Sequence, residues 1–245
     1  MSGLNSYFAN SGSGPELEIN EDSLIVDVRH GLFGIVDGYG GSGIGDRVAE
    51  EVKKTVLDSY GILSEDEDAT LPLYFNPNYS IETNALINSL YLAHSKVKEM
   101  NNGKGTNSRG GASFLGGTAG EHRMQLVGTG NCMAICLRGE SSQICYFPHT
   151  SAEVRITGEG GSQCYPSSGL GLFDDLEFFV QEVKTYPGDR VFLLSSGTYA
   201  PFNLTELSIL LSQLGDRPDV LKNELFNLAK GRDSKANQSI VCLEF

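Results

Sequence analysis

The sequence predicts an α+β fold, on three observations. Short apolar runs with strand character precede, separate and follow stretches of helical periodicity, instead of alternating with them one for one. A buried-strand pattern at Leu32, Phe33, Ile35 and Val36 runs through an acid and a glycine-rich turn into a helix. No Pro/Ser-rich linker or charge block divides the 245 residues, 40% of them hydrophobic, so residues 16–245 read as one domain.

In chain order, residues 1–15 are rich in Ser, Gly and Asn and predict a loose arm. Asn20-Glu21-Asp22-Ser23 then leads into the strand Leu24-Ile25-Val26. A turn at Arg29-His30-Gly31 folds the next strand back as a hairpin, which sets Glu21 and Asp22 near Asp37. Three like charges crowd there, and a cation would neutralise them. Taken singly, Glu21 and Asp22 read equally as solvated acids at a strand edge. The turn after Asp37 lacks the Gly-Lys-Ser/Thr ending of a Walker loop and the spacing of a dinucleotide fingerprint. Gly38, Gly40 and Gly41 let backbone approach a hard cation closely, although glycines that serve only the turn remain the alternative. Val48, Val52 and Val56, with Glu50, Lys53 and Lys54 between them, predict an amphipathic helix.

Glu65 to Asp68 reads as a solvated acidic loop. Leu86, Leu90, His94 and Val97 predict a second helix over 81–100, capped by Ser80 and followed by a polar connection over 101–111. Strands are expected over 124–127, 133–137, 143–147, 153–156 and 178–183. Two further helices span 204–214 and 220–230, with Asn203 and Asp219 as caps and Gly231 as a stop.

The net charge of −13 argues against nucleic acid or an anionic membrane surface as partner. No apolar run reaches the roughly 20 residues of a membrane span. The odd count of five cysteines, without a signal peptide, predicts reduced thiols and a cytoplasmic location; Cys132 and Cys136 sit in an apolar run and read as core.

Asn20-Glu21-Asp22-Ser23, followed by Phe33-Gly34-Ile35-Val36-Asp37-Gly38-Tyr39-Gly40-Gly41, resembles the opening of the metal-dependent type 2C (PPM) serine/threonine protein phosphatases, especially their bacterial branch. Gly116-Gly117-Thr118-Ala119 is similar to a Gly-Ser/Thr-Thr-Ala strand of that family, and Gly130-Asn131-Cys132-Met133-Ala134 falls where it has Gly-Asp-Ser-Arg-Ala. Pro187-Gly188-Asp189 through Ser195-Ser196-Gly197 resembles the strand that runs into Ser-Asp-Gly, and Ala236-Asn237-Gln238-Ser239 the closing Asp-Asn-x-Thr.

The resemblance implies a sandwich of two antiparallel sheets flanked by helices on both faces. It also implies phosphate-ester hydrolysis by a water held between two Mn²⁺ or Mg²⁺ ions about 4 Å apart. In that frame Asp37 and the Gly38 carbonyl would ligate metal, with Glu21 and Asp22 holding its waters. The departures are specific. Ser196 and Ala236 stand where the second metal takes aspartates, Asn131 stands at a third-metal aspartate, and no arginine precedes Asn20 at the phosphate-binding position. Such a donor set implies one ion or none. Asp233, Asp174 and Asp175 are the acids available to replace the missing ones. His94, His122, Arg109 and Arg123 read as packing or surface residues.

Two functions follow. One is a pseudophosphatase that binds a signalling partner, a phosphoprotein or a kinase. The alternative is an active metal-dependent phosphoserine/phosphothreonine phosphatase with a reduced metal site.

Overall fold

A computed structural model describes residues 3–14, 18–40, 43–65, 71–155, 162–232 and 234–245. Two five-stranded antiparallel sheets stack face to face. One runs β1 (Ser6–Gly12), β12 (Gln238–Glu244), β11 (Arg190–Leu194), β6 (Met133–Arg138), β7 (Ser141–Tyr146). The other runs β10 (Phe179–Lys184), β5 (Arg123–Thr129), β4 (Gly110–Ala119), β3 (Leu32–Gly40), β2 (Asp22–Asp27). Helices α1 (Gly45–Glu65) and α2 (Ile81–Asn101) cover the β3 sheet, and α3 (Ser196–Tyr199), α4 (Leu204–Leu214) and α5 (Pro218–Gly231) cover the other. The hairpin β8 (Thr150–Arg155) and β9 (Ser162–Pro166) stands apart from both sheets. This is the α+β sandwich that the sequence predicts.

Strand composition follows from having cover on both faces. In β3, Phe33 and Ile35 point into the inter-sheet core, while Leu32 and Val36 pack against α1 and α2, so the run is apolar throughout. Val48, Val52 and Val56 of α1 are fully buried against that sheet. Cys132 and Cys136 are core residues, as predicted.

Several expectations are corrected. The arm expected over 1–15 is, at Ser6–Gly12, the edge strand β1, paired antiparallel with β12 from Ser6↔Glu244 to Gly12↔Gln238. Ladder bonds are made by backbone, so a strand with only the short apolar run Tyr7-Phe8-Ala9 among Ser, Asn and Gly can hold an edge. The connection after α2 ends earlier than expected, at a 3₁₀ turn (Thr106–Ser108), because β4 begins at Gly110. Gly111 lies in that strand, paired with Tyr39, and a Cβ there would lie 2.6 Å from Leu172 Cγ. Helix α5 starts at Pro218 after Arg217 rather than from an Asp219 cap, since proline is preorganised for the first helical position. Gly231 is its last residue. Ser80 and Asn203 do cap α2 and α4, accepting from the amides of Thr83 and Glu206. Glu65 is the last residue of α1, while residues 66–68 of the expected acidic loop lie outside the described residues.

The turn between β10 and β11 is locked by a half-buried ion pair. Asp189, 1% exposed, accepts from Arg138 Nε at 2.8 Å and Nη2 at 2.6 Å and from the Tyr186 amide at 3.0 Å. Arg138 also lies 4.3 Å from the centroid of the Tyr186 ring. Asp189→Ala is expected to cost about 2 kcal/mol, less than a fully buried pair because the arginine remains half in water. The midpoint of urea unfolding measures it.

Candidate functional site

The β2–β3 hairpin turns through Gly31, at a φ of 65° that suits glycine, and its register sets Asp22 directly opposite Asp37. At the same end of the sandwich β11 and β12 bring up a row of hydroxyls. Asp37 Oδ2 accepts from Ser196 Oγ at 2.7 Å and from the Ser196 amide at 3.2 Å. Asp22 Oδ2 accepts from Ser239 Oγ at 2.6 Å. Ser239 Oγ lies 2.7 Å from Ser11 Oγ on β1, which in turn accepts from Asn20 Nδ2 at 2.7 Å. The Ser239 amide donates to Ser195 Oγ at 2.8 Å. Both carboxylates thus stand on the β2–β3 hairpin; Asp22 takes its hydroxyl from β12 of the other sheet, and Asp37 takes its own from the first residue of α3.

Glu21 binds the start of α1, its Oε1 accepting from the Gly45 amide at 3.3 Å, and its main-chain oxygen accepts from the Gly38 amide at 3.1 Å. Space is tight here. A Cβ on Gly38 would lie 2.3 Å from the Gly45 oxygen and 2.4 Å from that of Glu21.

Burial dominates the electrostatics. It pushes the Asp22 carboxyl well above its ordinary value, the Asp37 charge adds to the rise, and the Ser239 hydrogen bond opposes it. Asp37 is raised by burial against the two bonds from Ser196. Glu21 is raised by burial, with the Gly45 amide opposing. Asp22 Oδ1 and Tyr39 Oη are buried without a hydrogen-bond partner among the described residues.

The four sites of departure lie differently. Ser196 touches Asp37. Ala236 is exposed, beside Gly197: a Cβ built on that glycine would sit 2.9 Å from the Ala236 Cβ. Asn131 is buried and engaged with β4 and α3, its Oδ1 accepting from Ser113 Oγ at 2.7 Å and its oxygen from Tyr199 Oη at 2.6 Å. The position before Asn20 falls partly outside the described residues.

Of the replacement acids, neither Asp174 nor Asp175 reaches the site. Asp174 is exposed and paired with Lys98 of α2 at 2.9 Å, which lowers its carboxyl, and Asp175 is exposed on the same turn. Asp233 lies outside the described residues. His94 Nδ1 accepts from the Gly171 amide at 3.1 Å, a packing role. Arg109 donates to the Lys104 oxygen, Arg123 pairs with Glu182 at 3.6 Å, and His122 lines a separate cleft. No group of three or more His, Cys, Asp or Glu is placed to hold a metal among the described residues.

Sequence reasoning missed Ser239 as the partner of Asp22, and Ser11 and Ser195 as the hydroxyls that hold Ser239. Their signal is faint. Ser239 stands two residues after Asn237 in an alternating strand, and only pairing across the two sheets brings it to Asp22.

No protein-family model matches the sequence, and no curated protein matches it. Solved structures do. PppA of Pseudomonas aeruginosa, described as a key regulatory component of T6SS, is 21% identical over 99% of each chain, with a TM-score of 0.77. The PPM Ser-Thr phosphatase MsPP from Mycobacterium smegmatis, in complex with cacodylate, is 18% identical over 99% of each chain, with a TM-score of 0.75. The catalytic domain of the serine/threonine protein phosphatase PstP, in complex with two manganese ions, is 19% identical over 98% of this chain and 97% of its own, with a TM-score of 0.71.

Proposed function

We propose that this chain, which has the fold of the PPM serine/threonine phosphatases, is a pseudophosphatase that acts by binding a signalling partner, a phosphoprotein or a kinase. One observation carries the reading: the Ser196 hydroxyl and amide both donate to Asp37 Oδ2, from the position where the family resemblance puts a second-metal aspartate. A two-metal centre needs carboxylates to balance four positive charges. Here one oxygen of each central acid is already taken by a serine, and Ala236 brings no donor atom. The donor set does not fit a pair of divalent cations. Without the pair, the activated bridging water and half of the phosphoryl clamp are lost, several kcal/mol of barrier. The regulatory role ascribed to PppA is in keeping with a signalling partner. No helix among the described residues is long and apolar enough to cross a membrane.

A second reading rests on the unpartnered Asp22 Oδ1. A single Mn²⁺ or Mg²⁺ beside Asp37, Gly38, Glu21 and Asp22 would supply charge compensation there, leaving a phosphatase with a reduced metal site.

Phosphate release from phenyl phosphate and from a phosphothreonine peptide, with added Mn²⁺ or Mg²⁺, separates the two. The expected result is no turnover above that of Asp37→Asn in an equally folded sample. Metal-dependent turnover in the native chain that disappears in the variant would sink the pseudophosphatase reading in favour of the single-ion enzyme.

A further inference from the structure

Away from the acid pair, the β2–β3 turn and the last turn of α1 meet on one histidine. His30 Nδ1 lies 2.5 Å from Asp27 Oδ2, and its Nε2 lies 3.0 Å from Glu65 Oε1. Each ring nitrogen faces a carboxylate, so only the doubly protonated imidazolium can donate to both. The ring is enclosed: its side chain is 17% exposed and that of Asp27 18%. Tyr60 of α1 meets it edge-on with centroids 6.2 Å apart, and a Cβ on Gly61 would lie 3.2 Å from its Cε1. Arg29 Nη2 reaches the same Glu65 oxygen at 2.7 Å.

We propose that His30 is a pH-operated latch, which as an imidazolium donates both to Asp27 of the hairpin and to Glu65 at the end of α1, and on losing its proton gives up one of the two, leaving the Arg29–Glu65 pair to hold that end of the helix alone. The other end of α1 is held separately, by Glu21 on the Gly45 amide. The charged and titratable groups around the ring come from four elements. The hairpin supplies Asp27 and Arg29, and α1 supplies Glu65 and the Tyr60 phenol. Across a cleft of about 560 Å³ that His30 lines stand Glu82 of α2 and Glu121, His122 and Arg123 at the β4–β5 turn. Acids outnumber permanent cations in this set, which favours the imidazolium. The Asp27 hydrogen bond raises His30 above its ordinary value, burial opposes, and Glu65 adds to the rise. A folded-state value above the unfolded one makes the latch fully present below about pH 6.5 and lost as pH rises through the higher folded value.

Nuclear magnetic resonance titration of the four histidines, with His30→Phe for assignment, tests the latch in the full chain. His30 is expected to titrate above about pH 6.5, while His94 and His149, both lowered by burial, titrate below it. Asp27→Asn and Glu65→Gln should each bring His30 down. Amide exchange over residues 61–65, corrected for its intrinsic pH dependence, should lose protection roughly fivefold as the proton leaves, and only in the native chain. If His30→Phe folds poorly, Glu65→Gln reads the same contact from a half-exposed helix end. A His30 titration at or below the free-imidazole value overturns the proposal. So does exchange whose pH dependence is the same in native and variant chains.

Discussion

Ser196→Asp combined with Ala236→Asp is expected to turn a chain whose melting is little affected by Mn²⁺ into one that depends on it. Without metal the double variant should lose about 2–3 kcal/mol, because a carboxylate replaces a hydroxyl that donates to Asp37 over 2.7 Å, and the two negative groups then share a poorly hydrated site. With Mn²⁺ at about a hundred times its dissociation constant, linkage returns about 2.7 kcal/mol, or roughly 5–10 °C of melting temperature for a chain of this size. Differential scanning fluorimetry with and without Mn²⁺ makes the comparison. The native chain should move by less than about 2 °C. A native shift as large as the variant's would mean that the existing residues already hold the cation, and the single-ion reading would take over.

Gly38→Ala should destabilise the chain by about 3 kcal/mol, the upper range for overpacking, whether or not metal is present. The new methyl would have to share space with two backbone oxygens, those of Gly45 and Glu21 at 2.3 and 2.4 Å, and neither can rotate away as a side chain could. Relief would require β3 to part from Glu21, the residue before β2, whose oxygen accepts from the Gly38 amide, or from the start of α1. Chemical denaturation of Gly38→Ala beside Asp37→Asn distinguishes a packing requirement from a ligand requirement. A mild Gly38→Ala would leave the presence of glycine there without its packing explanation. On this account the joint with α1 requires glycine at position 38 whether or not a cation binds beside it.

The nearness of Glu21 and Asp22 to Asp37 was legible because a tight hairpin folds one strand back on the next; the register about Arg29-His30 that sets Asp22 directly opposite Asp37 came with the fold. The helices were legible through their apolar faces, as at Val48, Val52 and Val56. The sandwich architecture, and the positions of Ser196 and Ala236, came through the family resemblance; local pattern alone does not bring residues 37 and 196 together. What escaped was decided by backbone or by distance. Strand β1 escaped because three consecutive apolar residues, Tyr7-Phe8-Ala9, among Ser, Asn and Gly give no alternating signal and its partner lies more than two hundred residues away. Asp174 was open to a role at the site until the fold placed it against Lys98. The α5 start was misplaced because Pro218 outweighs Asp219 as a first-turn signal.

The pairing of β1 with β12 also orders events in time. Residues 6–12 find their partner only in residues 238–244, so during synthesis β1 must wait for more than two hundred further residues before its ladder can close. Contacts of such separation carry a large loop-closure entropy and slow folding. The Ser11–Ser239–Asp22 relay is formed by that same closure. Until β12 arrives, the Asp22 carboxylate lacks the hydroxyl that shields it. The acid site is therefore completed only after β12 is made, and a ribosome-bound chain short of residue 239 would carry Asp22 unscreened while Asp37 already has Ser196.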